Sequence, residues 1–450
     1  LAGNEHTLSE KEEALLAKAS QMSTVPDEVF SKFNNADVKF GKVKRENGQE
    51  DELTNGNFAT FMESQDRAVR KAAFEALYKQ YGAYINTIAA AFYGNVKQAM
   101  FYADARGYKS TLNMYLDGSF IPENVYKNLI KTVNDNLDKM YCYVDIRKKA
   151  LGVDELHFYD IYAPMVEDID WKISYDEAKD IVVKALAPMG EEYVSHIKEG
   201  FNNGWVDVYE NTGKRSGAFS WGAYGTHPYV FLNYSDTLND VFTVIHEMGH
   251  AMHTYYSNAN QPYIYAGYKI FVAEVASTCN EAILMQYMLK NTDDEKKKRY
   301  LLNHFFEQFK GTLYRQTMFA EFEMEAHAKA EHGEVLSAES LCAMYKKLNE
   351  KYFGPDMVID DEIALEWARI PHFYTPFYVY QYATGYSAAI AISTKILAGD
   401  EQVIAGYRKF LSGGSSMHPI ELLKLCGIDM TRPDVVQEAL DVFGELLKQW

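Results

Sequence analysis

Long stretches with a helical period of apolar residues run through almost the whole chain, and they constrain its fold more than any other feature. Glycine and proline, which break helices, number only 28 and 11 among 450 residues. They concentrate at breaks such as Gly118-Ser119 and Gly413-Gly414. The pattern predicts helices over residues 7–19, 58–80, 84–105, 122–150, 175–201, 236–257, 270–291, 294–331, 336–352, 374–398, 401–412 and 433–448.

The segment 201–235 departs from this helical pattern. It contains three short runs rich in aromatic and β-branched residues and separated by turn residues, which is typical of strands. These runs are Trp205–Tyr209, Ala218–Trp221 and Tyr229–Asn233. We therefore expect a mostly α protein with a small β-sheet directly before the helix predicted over 236–257.

Length and composition narrow the organisation and the partners. A chain of 450 residues is too long for one hydrophobic core, so we expect two lobes, approximately 1–200 and 201–450, in one catalytic region. The net charge of −18 disfavours nucleic acid and anionic membranes as partners. No apolar run reaches the about 18 residues of a membrane span, no signal peptide is visible, and the four cysteines are scattered. We expect a cytoplasmic protein.

The helix predicted over 236–257 contains the motif His246-Glu247-Met248-Gly249-His250. Two histidines four residues apart lie on one helical face, so both imidazoles can reach one Zn²⁺. Glu247 lies on the neighbouring edge, where it can take a proton from a water molecule. Gly249 inside a helix costs about 1 kcal/mol relative to alanine, so we expect another backbone to approach closely there.

A catalytic zinc takes three protein ligands and keeps one position for water. The extended motif with a third histidine on the same helix is excluded, because that position is Tyr256. His253 lies off the ligand pair, and we expect it at the surface or behind the ligands. Glu274, in an otherwise apolar segment, is the candidate third ligand because a carboxylate there needs a partner. Glu281 shares its face and either orients a ligand histidine or is simply solvated.

Several further segments accompany this motif along nearly the whole chain. They are Gly217–Tyr229, Thr237–Asn258, Phe271–Glu281, Arg315–Glu323, His372–Tyr374, Phe377–Gly385 and Gly413–Ser415. Together they resemble the zinc peptidases of family M3, and within that family the oligoendopeptidase F type.

The resemblance implies a zincin-like endopeptidase that hydrolyses internal bonds of unstructured oligopeptides in a deep channel flanked by two helical lobes. It implies that His246, His250 and Glu274 bind one Zn²⁺ per chain and that Glu247 is the general base. The zinc-binding lobe is then 201–450. Family members also carry a further helical N-terminal segment, which we expect this chain to lack. The oligomeric state stays open.

In this family a histidine and tyrosines from a late helix hold the oxyanion, and His372 matches the histidine. On a regular helix over 374–398, Tyr378 and Tyr382 share a face, whereas Tyr380 projects roughly 160° away. Tyr380 nevertheless remains an alternative. The segment Tyr229–Asn233 matches a strand that could pair with the substrate backbone.

Two other functions remain open at this point. A zinc carboxypeptidase on the same scaffold needs a cationic pocket for the C-terminal carboxylate of the substrate, and the sequence reveals none. A peptide-binding protein with a structural zinc needs a fourth protein ligand, and none lies nearby in sequence.

Overall fold

Side-chain capping fixes where several helices begin. Ser174 accepts a hydrogen bond from the Glu177 N–H while the Glu177 carboxylate accepts one from the Ser174 N–H, and Thr237 and Asp240 form the same reciprocal pair. The computed structural model describes residues 4–167 and 169–450, and helices hold 67% of the residues. The prediction of a mostly α fold with a small sheet is confirmed.

The helices and strands follow one another along the chain with mostly short connections. The helices are α1 (Glu10–Ser23), α2 (Val25–Lys32), α3 (Phe58–Met62), α4 (Arg67–Ala83), α5 (Ile85–Ala105), α6 (Thr111–Asp117), α7 (Glu123–Asn134), α8 (Leu137–Leu151), α9 (Tyr175–Ala185), α10 (Glu191–Asn202), α11 (Leu238–Asn260), α12 (Tyr263–Ala266), α13 (Ile270–Lys290), α14 (Glu295–Gln308), α15 (Arg315–Glu331), α16 (Ala338–Phe353), α17 (Tyr380–Leu397), α18 (Glu401–Leu411), α19 (Pro419–Lys424) and α20 (Asp434–Leu447). The strands are β1 (Lys42–Lys44), β2 (Glu50–Glu52), β3 (Val206–Asp207), β4 (Phe219–Trp221) and β5 (Tyr229–Phe231).

Two predicted helices differ from the structure in ways that bear on function. The stretch 294–331 is not one α-helix, because a π-helix at Phe309–Tyr314 separates α14 from α15. The stretch 374–398 becomes α-helical only at Tyr380, and a 3₁₀-helix at Pro371–Tyr374 precedes it. Each interruption covers only four to six residues, which is too short for a sequence period to reveal.

The chain divides into two compact units with boundaries that differ from the expected division at residue 200. The first unit comprises Leu1–Gly118, Asn134–Met165 and Tyr314–Tyr380. The second comprises Ser119–Val133, Val166–Leu313 and Gln381–Trp450. The reason is long-range packing, since α15 and α16 pack on α5 and α16 also packs on α8.

The second unit contains the three-stranded sheet, in the order β3-β5-β4, next to α11. The central strand β5 pairs in parallel with β3 and antiparallel with β4. Both of its edges are therefore used, and the expectation that this strand pairs with a substrate is wrong. β3 and β4 are the two edge strands of this sheet, and on β4 the Phe219 and Trp221 side chains are exposed.

Among the described residues, no helix combines the length and the apolar character needed to cross a membrane. The cytoplasmic location expected from the sequence stays a prediction.

Candidate active site

The candidate zinc ligands lie on α11 and α13, which pack closely along each other. A Cβ atom on Gly249 would lie 2.7 Å from the Ser277 Cα and 2.8 Å from the Ala276 carbonyl oxygen. Only glycine permits this approach, so the close backbone contact expected at Gly249 is confirmed. The buried Asn280 on α13 also donates a hydrogen bond to a backbone carbonyl of α11 at 3.2 Å. These contacts fix the position of α13 against the motif helix.

Three side chains from these helices point their donor atoms at one another. The Nε2 atoms of His246 and His250 are 3.2 Å apart, and Glu274 Oε2 lies 3.5 Å from the first and 3.3 Å from the second. Ligand atoms at about 2.0–2.2 Å from a tetrahedral zinc lie roughly 3.3–3.6 Å from each other. The donor set and its spacing therefore fit Zn²⁺.

Glu281 lies directly behind His246. Its Oε1 atom accepts a hydrogen bond from His246 Nδ1 at 2.5 Å, and its Oε2 atom accepts one from Gln308 Nε2 at 3.2 Å. Burial lowers the pKa of His246, but the hydrogen bond to Glu281 and the negative charges of Glu281, Glu247 and Glu274 together outweigh it, so the pKa is raised on balance. A proton held on Nδ1 leaves the Nε2 lone pair free for a metal. The half-buried Glu281 thus lies where the orienting role would place it, rather than on a solvated face.

The two other acidic residues of the site differ in their protonation behaviour. A hydrogen bond with His250 lowers the pKa of Glu274 to about 2, and Glu274 Oε2 also accepts a bond from Ser277 Oγ at 3.0 Å. Glu274 is therefore ionised at neutral pH, as a metal ligand must be. Glu247 is buried, and this burial raises its pKa, which suits a group that accepts a proton.

His253 is not at the surface, so that part of the expectation is wrong. The side chain is 1% exposed, and its ring stacks on Tyr268 at a centroid distance of 3.6 Å. Burial lowers the pKa of His253 to about 3, so the ring is neutral. The stack explains the burial, because a neutral imidazole packs like any flat aromatic ring.

His372 and Tyr378 come together in the first unit. His372 is exposed on the 3₁₀-helix Pro371–Tyr374, and its ring lies parallel to that of Tyr378 at 6.2 Å. Tyr378 precedes α17, so the argument that it shares a helical face with Tyr382 is wrong. Tyr382 is half-buried within α17, whereas the side chain of Tyr380 is only 2% exposed.

Sequence reasoning missed Ser277 and Gln308. Ser277 is one helical turn after Glu274, so the spacing of three residues could have revealed it. Gln308 is the last residue of α14, and its side chain donates a hydrogen bond to Glu281 on the neighbouring helix α13. No periodic pattern indicates a contact of that kind.

Family models match this chain over most of its length. The model described as peptidase family M3 matches residues 60–442, and the one described as oligopeptidase F matches residues 1–40. The chain belongs to peptidase family M3. The resemblance inferred from the motifs is therefore confirmed.

Several relatives of this chain carry closely related names. Oligopeptidase PepF of Bacillus subtilis is 53% identical over 99% of this chain and 66% of its own length. An oligoendopeptidase F homologue of Lactococcus lactis is 43% identical over 99% of this chain and 74% of its own length. The crystal structure of oligoendopeptidase F from Enterococcus faecium matches with a TM-score of 0.84 and 37% identity, over 99% of this chain and 74% of that one. The chain thus spans about two thirds to three quarters of the length of these relatives.

Proposed function

We propose that this M3 peptidase is a zinc-dependent endopeptidase that hydrolyses internal bonds of unstructured oligopeptides. The observation that carries the proposal is the spacing of 3.2–3.5 Å among the donor atoms of His246, His250 and Glu274. These distances match those between three of the four ligand atoms around a tetrahedral zinc, and the fourth ligand position is then open to water. The names of the relatives, oligopeptidase and oligoendopeptidase, support the same reaction.

The residues of this site have separate roles in the proposed reaction. His246, His250 and Glu274 hold one zinc ion, and Glu281 keeps the His246 ring in its binding orientation. When bound, zinc polarises the scissile carbonyl and lowers the pKa of a water molecule towards about 7. Glu247 accepts the proton of the attacking water and then passes it to the leaving amine.

The oxyanion of the transition state needs additional hydrogen-bond donors. We assign this role to His372 together with Tyr378, because their rings lie parallel at 6.2 Å and both side chains reach solvent. Tyr382 is the second candidate among the tyrosines, since it is also half-buried. The burial of Tyr380 argues against the same role.

The edge strand β4 offers a place for the substrate backbone. It pairs only with β5 among the strands of its sheet, and it contacts α11, the helix that carries the motif. A peptide that adds to such an edge must be extended over several residues. This requirement supports unstructured oligopeptides as substrates.

The variant Glu247→Gln tests the proposal. It should retain about one zinc per chain, measured by elemental mass spectrometry, and lose peptide cleavage by several orders of magnitude. Glu445→Gln, an exposed glutamate in the last turn of α20, is the matched control and should cleave at the wild-type rate. A fully active Glu247→Gln variant would refute the assignment of the general base.

Substrates blocked at both ends decide between endopeptidase and carboxypeptidase. Mass spectrometry of the products should show cleavage at an internal bond. A chelator should abolish this cleavage and added zinc should restore it, whereas a structural zinc in a peptide-binding protein would give no turnover at all.

A further inference from the structure

A cavity of about 420 Å³ opens in the first unit beside α3 and α15. Its wall includes Arg315 and Arg369, the aromatic rings of Phe58 and Phe319, and the imidazole of His372. Its volume lies in the range of small-molecule pockets. The peptidase mechanism above uses His372 but neither of the arginines.

Both guanidinium groups are held against aromatic rings of the cavity wall. The Arg315 Cζ lies 4.6 Å from the ring centroid of Phe319, and the Arg369 Cζ lies 4.7 Å from that of Phe58. Stacking of this kind fixes the plane of a guanidinium while leaving its edge free to donate hydrogen bonds. The cationic part of the wall is therefore preformed.

The two arginines share a single buried carboxylate. Glu366 is 4% exposed, and its oxygens accept hydrogen bonds from Arg315 at 2.7 Å and from the Tyr345 hydroxyl. Burial acts to raise the pKa of Glu366, but Arg315, the Tyr345 hydroxyl and the charge of Arg369 together outweigh it, so the pKa is lowered and the group is ionised. The negative charge of the same carboxylate also acts on Arg369, which in addition forms a hydrogen bond with the neutral Tyr78 hydroxyl.

Within the described part of the chain, Arg315 is paired with Glu366, and Arg369 forms no ion pair of its own. Arg369 is half-buried, so its charge is partly removed from water and an anion in the cavity would compensate it. Glu63 also lines the cavity, but it is exposed and therefore solvated. The positive charge of this cavity wall contrasts with the net charge of −18 of the whole chain.

We propose that this cavity, which we call the arginine cavity, binds a carboxylate group of the peptide substrate through Arg315 and Arg369. A planar guanidinium edge matches a carboxylate in a two-bond arrangement. The carboxylate comes either from the C-terminus of the peptide or from an Asp or Glu side chain. The identity of the ligand as a peptide rests on the proposed peptidase function, since His372 lines the same cavity.

Calorimetric binding of short peptides tests the arginine cavity without any turnover. The probes are acetyl-trialanine as the free acid, its amide, and acetyl-Ala-Glu-Ala amide. The wild-type protein should bind at least one of the two acidic probes about tenfold or more tightly than the neutral amide. Preference for the free acid assigns the C-terminal carboxylate, and preference for the glutamate peptide assigns the side chain.

Three variants test which residues cause the preference for an acidic probe over the neutral amide. Arg369→Gln should weaken binding of the preferred acidic probe about ten- to hundredfold and leave the neutral amide unchanged. Glu63→Gln removes an exposed negative charge from the cavity wall and should tighten binding of the acidic probe. Arg432→Gln, which removes an exposed arginine paired with Asp434, is the matched control and should change neither affinity.

Equal binding of the acidic probes and the amide by the wild-type protein would overturn the proposal. So would an Arg369→Gln variant that loses both kinds of probe equally, because that result indicates a structural role. Cleavage of a neutral substrate with both ends blocked reports separately on the peptidase function. Failure of one proposal can therefore be distinguished from failure of the other.

Discussion

Glu323 on α15 is a buried carboxyl group that holds the segment carrying the proposed oxyanion donors. The residue is 0% exposed, and its Oε2 atom accepts a hydrogen bond from the Phe377 N–H at 2.6 Å. Phe377 has φ +56°, a left-handed conformation that is unfavourable for a residue with a side chain. The bond to Glu323 thus stabilises a strained turn directly before Tyr378.

Burial raises the pKa of Glu323 from its ordinary value of 4.5 to about 8. At pH values between 4.5 and about 8, Glu323 keeps its proton in the folded protein and releases it in the unfolded chain. The stability contributed by this proton is fully present below pH 4.5 and is lost as the pH rises through 8. The slope is about 1.4 kcal/mol per pH unit, so stability falls by about 2–3 kcal/mol between pH 5 and pH 7 because of this group.

The variant Glu323→Gln removes the titration and keeps an oxygen that can accept the Phe377 N–H. We expect its free energy of unfolding, minus that of the wild-type protein, to rise by about 2–3 kcal/mol from pH 5 to pH 7. Urea unfolding followed by tryptophan fluorescence and circular dichroism measures this difference. Glu350→Gln, an exposed glutamate on α16, is the control for the loss of one carboxylate.

A constant offset between wild type and Glu323→Gln is compatible with this reasoning, because the amide group adds a cost that does not depend on pH. Stability curves that run parallel from pH 5 to pH 8 would refute it. Parallel curves would mean that Glu323 has the same pKa in the folded and the unfolded chain.

Three further predictions concern the metal site and its support. Glu281→Gln should weaken zinc affinity about ten- to hundredfold, measured by chelator competition, because His246 loses the charged acceptor that orients its ring and raises its basicity; unchanged affinity would contradict this role. Gly249→Ala should destabilise the protein by about 1–3 kcal/mol or more in thermal unfolding, because its Cβ would meet Ser277. Gly267→Ala, where a Cβ meets nothing within 4 Å, is the control. Zinc at a hundred times its dissociation constant should stabilise the wild-type protein by about 2.7 kcal/mol, and a chelator should reverse the gain.

Local sequence determined the helices, the small sheet and the core of the metal site. A helix repeats every 3.6 residues, so His246 and His250 must share a face wherever α11 packs. Glu274 could be proposed as the third ligand because a carboxylate in an apolar segment needs a partner. Gly249 indicated a close backbone contact for a similar reason, since a glycine inside a helix is costly unless space requires it.

Tertiary structure alone decided the features that depend on residues far apart in the chain. Packing placed Gln308 against Glu281, put β5 in the centre of its sheet, and buried His253 on Tyr268. It also brought Arg315 and Arg369 to one cavity with one carboxylate between them. Periodicity reports which face of an element is apolar, but not which other element covers that face. The π-helix after α14 and the late start of α17 are likewise too local for the apolar pattern to indicate.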